Sequence, residues 1–179
     1  MIYLVRHGEA AAGWGDHPDP GLSDKGWIQA EAVAIRLNAL DFSTAITSPM
    51  TRCQETASAY AEVSGKTLTI EPSVTEIPTP TDVGDRRIWL RDLMAGQWAE
   101  TPDLVKTWHE NLLKTISGLP DNTVVFSHFI AINAVVGHLS GASAVTVFRP
   151  NYCSLTSLEK TDSGLSLIER GESLDTRVL

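Results

Sequence analysis

The chain has 179 residues, of which 42% are hydrophobic and 20% are charged, proportions that are ordinary for a globular protein. Its 14 Lys and Arg residues are outnumbered by 22 Asp and Glu residues, so the net charge is −8. This balance argues against nucleic-acid binding and against binding to an anionic membrane, which both favour a basic face. No segment approaches the roughly 20 apolar residues of a membrane span. The length predicts one domain over residues 1–179, since a domain takes roughly 100–200 residues.

Cysteine content and the first residues bear on the compartment. Cys53 and Cys153 are the two cysteines, too few for a disulfide framework. The first residues lack a basic segment followed by a long apolar run, so we do not expect a signal peptide. These features predict a reduced, cytoplasmic protein and leave its oligomeric state open.

Apolar periodicity alternates between strand-like and helix-like segments along the chain. The predicted strands are 1–5, 44–47, 67–70 and 123–127, followed by a hairpin of 154–159 and 165–169. The predicted helices are 23–39, 51–64, 85–94, 101–116 and 130–139. Loops rich in Pro and Gly are expected at 13–21 and 71–81.

Capping residues set the ends of several helices. Ser23 and Thr101 are typical N-caps, and Gly65 is a typical residue after a helix end. The first helix is expected to bury an apolar stripe formed by Ile28, Ala32, Ile35 and Leu40.

The alternation of strands and helices predicts an α/β domain with a mainly parallel sheet, and the terminal hairpin adds an antiparallel edge. Ligands of such sheets bind outside the carboxyl ends of the strands. Polar side chains follow three of the predicted strands, in the segments Arg6-His7-Gly8-Glu9, Thr47-Ser48-Pro49-Met50-Thr51-Arg52 and Ser127-His128. If these strands are neighbours, two arginines and two histidines meet at one place.

This set of residues suits phosphate chemistry. A guanidinium offers a planar fork of donors that matches phosphate oxygens, and a neutral imidazole can attack phosphorus. Gly8 is expected to leave room for the backbone to approach an anion. Each residue alone also fits a structural hydrogen bond or a solvated helix face, but their occurrence at three strand ends favours a site.

Other chemistries lack their motifs. The sequence has no phosphate loop, no dinucleotide-binding glycine motif and no nucleophile elbow around a serine. Neither cysteine is followed six residues later by an arginine, which argues against a cysteine phosphatase. Metal-ligand motifs are likewise absent from the sequence, so no metal or cofactor is predicted.

Four segments together resemble the histidine phosphatase superfamily, also called phosphoglycerate mutase-like. They are Arg6-His7-Gly8-Glu9, then Leu22-Ser23-Asp24-Lys25-Gly26 with Gln29-Ala30, then Thr47-Ser48-Pro49 with Arg52, Cys53, Glu55, Thr56 and Ala57, and finally Val124-Val125-Phe126-Ser127-His128. They occur in the family's order and extend from the start of the chain to about Leu139. The resemblance implies a three-layer α/β/α fold.

The resemblance also implies roles for individual residues. His7 would be the nucleophile that becomes phosphohistidine, while Arg6, Arg52 and His128 would hold the phosphoryl group. The family's proton donor is usually a glutamate shortly after the third strand, and Glu76 lies in that place. The alternative for Glu76 is a loop carboxylate that faces water, and Glu71, Asp82 and Asp85 are rival acids.

The substrate side is less defined by sequence. Members often carry Gly after the second histidine, whereas this chain has Phe129, and Arg further along that helix is replaced by Asn133. Candidate substrate-binding residues are Gly8, Glu9, Trp14, Ser23, Arg86, Arg87 and Phe129. A basic cluster is formed by Arg86, Arg87 and Arg91. It either recognises a second anionic group of the substrate or forms a surface face that pairs with Asp85 and Asp92.

The predicted function is metal-independent hydrolysis of a small phosphomonoester through a phosphohistidine on His7. The short chain, with a compact segment between Glu76 and His128, favours hydrolysis over transfer between hydroxyls. Three alternatives remain, namely a phosphoglycerate mutase-like phosphotransferase, a phosphohistidine-protein phosphatase and a catalytically silent binder of phosphorylated ligands. The presence of Glu76 and Glu9 counts against the protein phosphatase, and the full set of reacting groups counts against the silent binder.

Overall fold

The computed structural model describes residues 1–13 and 17–173, which form a mixed sheet with helices on both faces. The strands are β1 (Ile2–Arg6), β2 (Thr44–Thr47), β3 (Leu68–Ile70), β4 (Thr123–Ser127), β5 (Leu155–Thr161) and β6 (Gly164–Glu169). The helices are α1 (Asp24–Asn38), α2 (Thr51–Ser64), α3 (Arg86–Ala95), α4 (Asp103–Gly118) and α5 (Phe129–Leu139). Short 3-10 turns lie at Pro72–Val74 and Trp98–Glu100.

The strand order is β3-β2-β4-β1-β5-β6. The first four strands in this order run parallel, while β5 pairs antiparallel with β1 and β6 antiparallel with β5. The predicted fold class, a mainly parallel sheet with an antiparallel edge, is therefore confirmed. The two neighbours of β4 are β1 and β2, so the three strands that carry the polar motifs lie side by side.

Alternation along the strands builds a core on each face of the sheet. Val5 and Phe126 pack with the buried sides of α1 and α2, whereas Leu4 and Val125 pack with α4 and α5. Helix α5 is buried from Phe129 to Gly137, as its apolar composition predicts. The three layers thus fix the β1 and β4 ends between two packed cores.

The burial of α1 differs from the prediction. Ile28 and Ile35 are 67% and 69% exposed, and the buried face is instead formed by Ala30, Val33, Ala34 and Leu37. Both stripes have helical spacing, and the buried one includes Ala30 and Ala34, whose small side chains allow close contact with α2. The prediction that the bulkier stripe is buried was wrong. The distance between α1 and α2 decides which face of α1 can pack, and residue spacing does not report that distance.

Most predicted helix ends are confirmed within one or two residues. The Ser23 side chain accepts from the Gly26 N–H at the start of α1, and Gly65 ends α2 with a φ of 68°, where glycine is favoured. Helix α4 begins at Asp103, because Thr101 closes the preceding 3-10 turn by donating its hydroxyl to the Trp98 carbonyl. Within the described residues, no helix has the length and apolar character needed to cross a bilayer.

Candidate active site

The ends of three neighbouring strands bring the predicted polar residues together. Register places Arg6 beside Ser127 and Thr47 beside Phe126. The pairing continues one residue further, because the His7 N–H donates to the Ser127 carbonyl at 3.0 Å and the Ser48 N–H to the Phe126 carbonyl at 3.0 Å. The backbone thus carries His7, Ser48 and His128 to one edge of the sheet.

His7 is 5% exposed, and its ring orientation is set by its neighbour. Nδ1 lies 2.7 Å from the Gly8 carbonyl oxygen, which can only accept, so Nδ1 carries the hydrogen. Nε2 therefore has the free lone pair and accepts from Arg52 Nε at 3.1 Å. The ring presents a nucleophilic nitrogen directly to a guanidinium.

Arg52 bridges the two histidines from the first turn of α2. Its Nε contacts His7, and one terminal nitrogen lies 3.1 Å from His128 Nδ1. The other terminal nitrogen is 4.0 Å from Asp19 Oδ1. Asp19 also accepts from the Thr51 N–H at 2.9 Å, so one carboxylate caps α2 and lies beside its arginine.

Arg6 is held by a different set of contacts. One terminal nitrogen donates to the Pro150 carbonyl at 2.8 Å, and the guanidinium lies 4.0 Å from the Tyr152 ring centre and 5.2 Å from that of Phe129. Its Nε is buried and has no hydrogen-bond partner among residues 1–13 and 17–173. Arg6 therefore keeps a donor that an anionic ligand can use.

Burial and positive charge keep both histidines neutral. Burial is the largest influence that lowers the pKa of His7 and of His128 well below 6.5, and the charges of Arg52 and Arg6 act in the same direction. A neutral His7 retains the lone pair that attack on phosphorus requires.

Glu76 is 7% exposed and contacts the first residues of α5. One carboxylate oxygen accepts from the N–H groups of Ile77 at 3.1 Å and Ala131 at 3.3 Å, and the other from Ile130 at 3.3 Å. Burial raises the pKa of this carboxyl above 4.5, while Arg52 and these N–H groups oppose the rise. The environment thus favours the protonated acid beyond the range of an exposed glutamate.

The three rival acids lie in other settings. Glu71 accepts from the Ser73 N–H at the 3-10 turn, and Asp85 caps α3. Asp82 is exposed in the loop before α3. Of the four carboxylates weighed from the sequence, Glu76 is the one that is buried.

A pocket of about 210 Å³ opens above Arg6, His7 and Arg52, and the buried Glu76 is not among the described residues that line it. We call Arg6, His7 and Arg52, with His128 buried behind them, the floor of the pocket. We call the remaining lining residues the rim, and they are Ala10, Ala11, Ala12, Gly13, His17, Pro18, Pro20, Met50, Arg86 and Tyr152. The floor is cationic, whereas much of the rim is apolar.

The arginines of α3 separate into different environments. Arg86 lines the pocket, and its Nε donates to Thr79 Oγ1 at 2.7 Å. Arg87 is exposed and does not line the pocket. Arg91 pairs with Asp92 at 2.9 Å on the surface. The structure therefore brings Arg86 alone of the three to the rim.

The other substrate-side candidates have structural contacts. Ser23 Oγ donates to Glu9 Oε1 at 3.0 Å, and neither residue lines the pocket. A Cβ on Gly8 would lie 2.6 Å from the Gly26 carbonyl oxygen, so Gly8 makes room for α1. Phe129 is buried against Arg6, and Trp14 lies outside the described residues.

Sequence reasoning missed Asp19, Pro150 and Tyr152. A signal for the last two exists in the topology, because β5 runs antiparallel to β1 and so begins where β1 ends. The Cys153 N–H donates to the Arg6 carbonyl at 2.9 Å, which shows how closely this segment follows β1. Among the described residues, no cluster of three His, Cys, Asp or Glu side chains could hold a metal ion.

The sequence profile of the histidine phosphatase superfamily (branch 1) matches residues 2–172, and the chain belongs to this superfamily. A probable phosphoglycerate mutase GpmB from Photorhabdus laumondii is 27% identical over 181 residues, covering 89% of this chain and 84% of that protein. The protein of the same name from Cronobacter sakazakii is 29% identical over 192 residues, covering 91% and 86%.

Two solved structures illustrate the shared fold. The phosphoserine phosphatase of Entamoeba histolytica, in complex with 3-phosphoglyceric acid, superposes with a TM-score of 0.77 at 20% identity, over 96% of both chains. A mycobacterial glucosyl-3-phosphoglycerate phosphatase gives a TM-score of 0.74 at 19% identity, over 96% of this chain and 98% of that chain.

Proposed function

We propose that this protein is a phosphatase that hydrolyses a small phosphomonoester through a phosphohistidine on His7, without a metal or cofactor. The observation that carries the proposal is the orientation of His7. Donation from Nδ1 to the Gly8 carbonyl leaves the Nε2 lone pair facing a pocket floor that also holds Arg6 and Arg52. A nucleophile and two anion-binding groups thus share one site.

In the first step, phosphate oxygens bind the guanidinium groups of Arg52 and Arg6, and Arg52 Nε releases His7 Nε2. The Nε2 lone pair forms a bond to phosphorus as the bond from phosphorus to the ester oxygen breaks. Glu76 gives its proton to that oxygen, so the alcohol leaves neutral. The arginines stabilise the charge on the transferred group, which is the main demand of phosphoryl transfer.

In the second step, Glu76 is a carboxylate and takes a proton from a water molecule. The water oxygen bonds to phosphorus, the P–N bond breaks, and the electron pair returns to His7 Nε2. Phosphate leaves, and both Glu76 and His7 are restored. The raised pKa of Glu76 suits this double role, because a general acid and base works best when its pKa is near the working pH.

Arg86 supports a substrate that carries a second anionic group. It is the rim's arginine, and Thr79 orients its guanidinium over the pocket. The apolar rim at 10–13 offers a surface for the carbon part of such a substrate. We therefore expect a phosphorylated small molecule with a distal carboxylate or phosphate.

The second candidate function is a phosphotransferase of the mutase type, favoured by the two relatives named as probable phosphoglycerate mutases. In that case a substrate hydroxyl, rather than water, takes the phosphoryl group from His7. The share of phosphate released into water, measured against transfer to added alcohol acceptors, separates the two. Release into water in most turnovers supports the phosphatase, and transfer in most turnovers overturns it.

The first test looks for the covalent intermediate. After brief mixing with a ³²P-labelled phosphomonoester, acid-labile and alkali-stable label should appear on His7. His7→Ala should lose the label and at least about 10⁴-fold in kcat/KM, the scale of removing a catalytic nucleophile. His138→Ala, which changes an exposed histidine at the end of α5, is the matched control. An active His7→Ala enzyme, or activity abolished by a chelator, would overturn the proposal.

The second test concerns the proton donor. Glu76→Gln keeps the size of the side chain and one accepting oxygen but cannot give a proton, so cleavage of an alkyl phosphate should slow by about 10²–10⁴-fold. Cleavage of p-nitrophenyl phosphate should slow far less, because its leaving group needs little protonation. Glu71→Gln is the control. Equal losses on both substrates would assign Glu76 a structural role instead.

A further inference from the structure

We propose that Gln29 is a positioning residue that keeps the hydrogen of His7 on Nδ1 and so keeps the Nε2 lone pair available for attack. The inference rests on the proposed function, because it concerns the nucleophile of the same pocket floor. Gln29 belongs to α1 and is not among the described residues that line the pocket. It therefore acts through the backbone and not through the substrate.

The peptide group between Gly8 and Glu9 links Gln29 to the nucleophile. Its carbonyl, which belongs to Gly8, accepts from His7 Nδ1 at 2.7 Å. Its N–H, which belongs to Glu9, donates to Gln29 Oε1 at 2.8 Å. The carbonyl and the N–H of a trans peptide group point in opposite directions. By holding the N–H, Gln29 fixes the direction in which the Gly8 carbonyl faces.

The two adjacent peptide groups have other partners. The Gly8 N–H, in the preceding group, donates to Thr56 Oγ1 at 3.0 Å. The Glu9 carbonyl, in the following group, accepts from the Ser23 N–H at 2.9 Å. Glycine restricts its own dihedral angles little, so these bonds leave the middle group to be held by its own partners. Gln29 supplies the partner on the side away from His7.

The close approach of α1 explains why Gln29 reaches this peptide group. Gly26 lies three residues earlier on the same side of α1, and a Cβ there would overlap the Glu9 carbonyl oxygen. Because Gly26 has no side chain, α1 can lie against the backbone that follows β1. The Gln29 side chain then places its amide oxygen on the Glu9 N–H.

A reversed peptide group would disable the nucleophile. The Glu9 N–H would then face His7, so Nδ1 would have to accept and could carry no hydrogen. A neutral imidazole has one N–H, which would be on Nε2, and the lone pair that attacks phosphorus would be lost. His7 lines the pocket, so its ring can exchange this proton with water. The Gln29 acceptor favours the productive orientation by about the strength of one hydrogen bond.

The same orientation matters during the reaction. As Nε2 bonds to phosphorus, the ring gains positive charge and its Nδ1–H becomes a stronger donor. A peptide carbonyl accepts more strongly when the N–H of the same group is itself hydrogen-bonded. The bond from the Glu9 N–H to Gln29 therefore stabilises the charged ring more than the neutral one, which favours the transition state over the bound substrate.

The direct test is ¹⁵N NMR of histidine-labelled full-length protein above pH 6.5, where His7 is neutral. It reports the tautomer without requiring turnover, and His7→Asn identifies the His7 signal. We expect hydrogen on Nδ1 in the wild type and a second population with hydrogen on Nε2 in Gln29→Met, which removes the acceptor at similar size. Hydrogen on Nδ1 alone in Gln29→Met would overturn the inference. Phosphohistidine formation in the wild type is measured separately, so failure of the proposed function is distinguishable from failure of this inference.

Kinetics of matched variants give an independent readout. Gln29→Met and Gln29→Leu should each lower kcat by about tenfold, the scale of one hydrogen bond. Gln29→Glu keeps an accepting oxygen and should stay within about twofold of the wild type. Gln97→Met makes the same substitution at an exposed residue outside the described pocket lining and should leave kcat unchanged. Thermal melting checks that each variant is folded at the assay temperature. Wild-type kcat in Gln29→Met, or equal losses in Gln29→Met and Gln29→Glu, would overturn the inference.

Discussion

The floor and the rim of the pocket are built in different ways. Floor residues stand at a strand end, directly after one, or in the first turn of α2, and Arg52 links His7 with His128. Most rim residues belong to connecting segments, and Arg86, the first residue of α3, donates to Thr79. The floor therefore depends on sheet register, whereas the rim depends on loops that can vary without disturbing the register.

The largest effect is expected at the floor. Arg52→Ala should lower kcat/KM by about 10³-fold, because it removes donors to the phosphoryl group and the link between the histidines. Arg52→Lys should recover little, since an ammonium cannot reproduce a planar fork of donors. Steady-state kinetics on one substrate measure both variants. Substantial activity in Arg52→Lys would show that a positive charge at this position is sufficient. The geometry of the guanidinium would then not be required.

The next effect concerns the packing that supports the floor. A Cβ at Gly26 would overlap the Glu9 carbonyl oxygen, two residues after His7. Gly26→Ala should therefore cost about 3 kcal/mol of unfolding free energy, measured by urea denaturation. Gly118→Ala, at the end of α4, meets no atom within 4 Å and should be neutral or stabilising by up to about 1 kcal/mol. Equal stability of the two variants would contradict the close contact.

At the rim, the expected effect is smaller and depends on substrate. Arg86→Ala should raise KM about tenfold for a phosphomonoester with a second anionic group, the scale of one charged hydrogen bond. It should leave p-nitrophenyl phosphate nearly unaffected. Arg91→Ala, on the same helix but paired with Asp92, is the control. A loss of kcat on both substrates would show that Arg86 acts in the reaction itself and not only in binding the second anionic group.

The smallest effect is the pH dependence of stability. The folded pKa of His7 and of His128 is lowered below 6.5, so the unfolded chain takes up protons first as pH falls. The contribution of each neutral histidine to the free energy of unfolding is present above pH 6.5 and is lost as the pH falls below it. The loss is about 1 kcal/mol per histidine between pH 7.0 and 5.5. His7→Asn should show a correspondingly shallower loss in urea denaturation. Identical pH slopes would show that His7 is not held neutral.

The floor could be predicted because its residues adjoin strands with clear apolar patterns. Once β1 and β4 are neighbours, Arg6 and His128 can hardly lie far apart. The rim could not be predicted in the same way. Tyr152 reaches the Arg6 guanidinium through the antiparallel return of β5, and the sequence shows the hairpin but not which strand it joins. Asp19, which lies outside the rim and contacts Arg52, belongs to a loop whose path has no periodic pattern.

The wrong prediction of the buried face of α1 has a related cause. Periodicity shows which residues share a face, and α1 has two such faces. The buried one, with Ala30 and Ala34, is decided by how closely α2 and the Glu9 backbone approach. Those distances depend on the completed fold, so local pattern does not specify them.

The pairing of β1 with β4 also has a consequence for folding. Ile2 pairs with Thr123, so His7 meets His128 only after a loop of most of the chain has closed. Long-range pairings of this kind form late and slowly. Partly folded chains without β4 in place therefore lack the complete set of floor residues, and we expect phosphate to bind only the finished molecule. At a concentration 100 times its Kd, such a ligand adds about 2.7 kcal/mol to the stability of the native state alone.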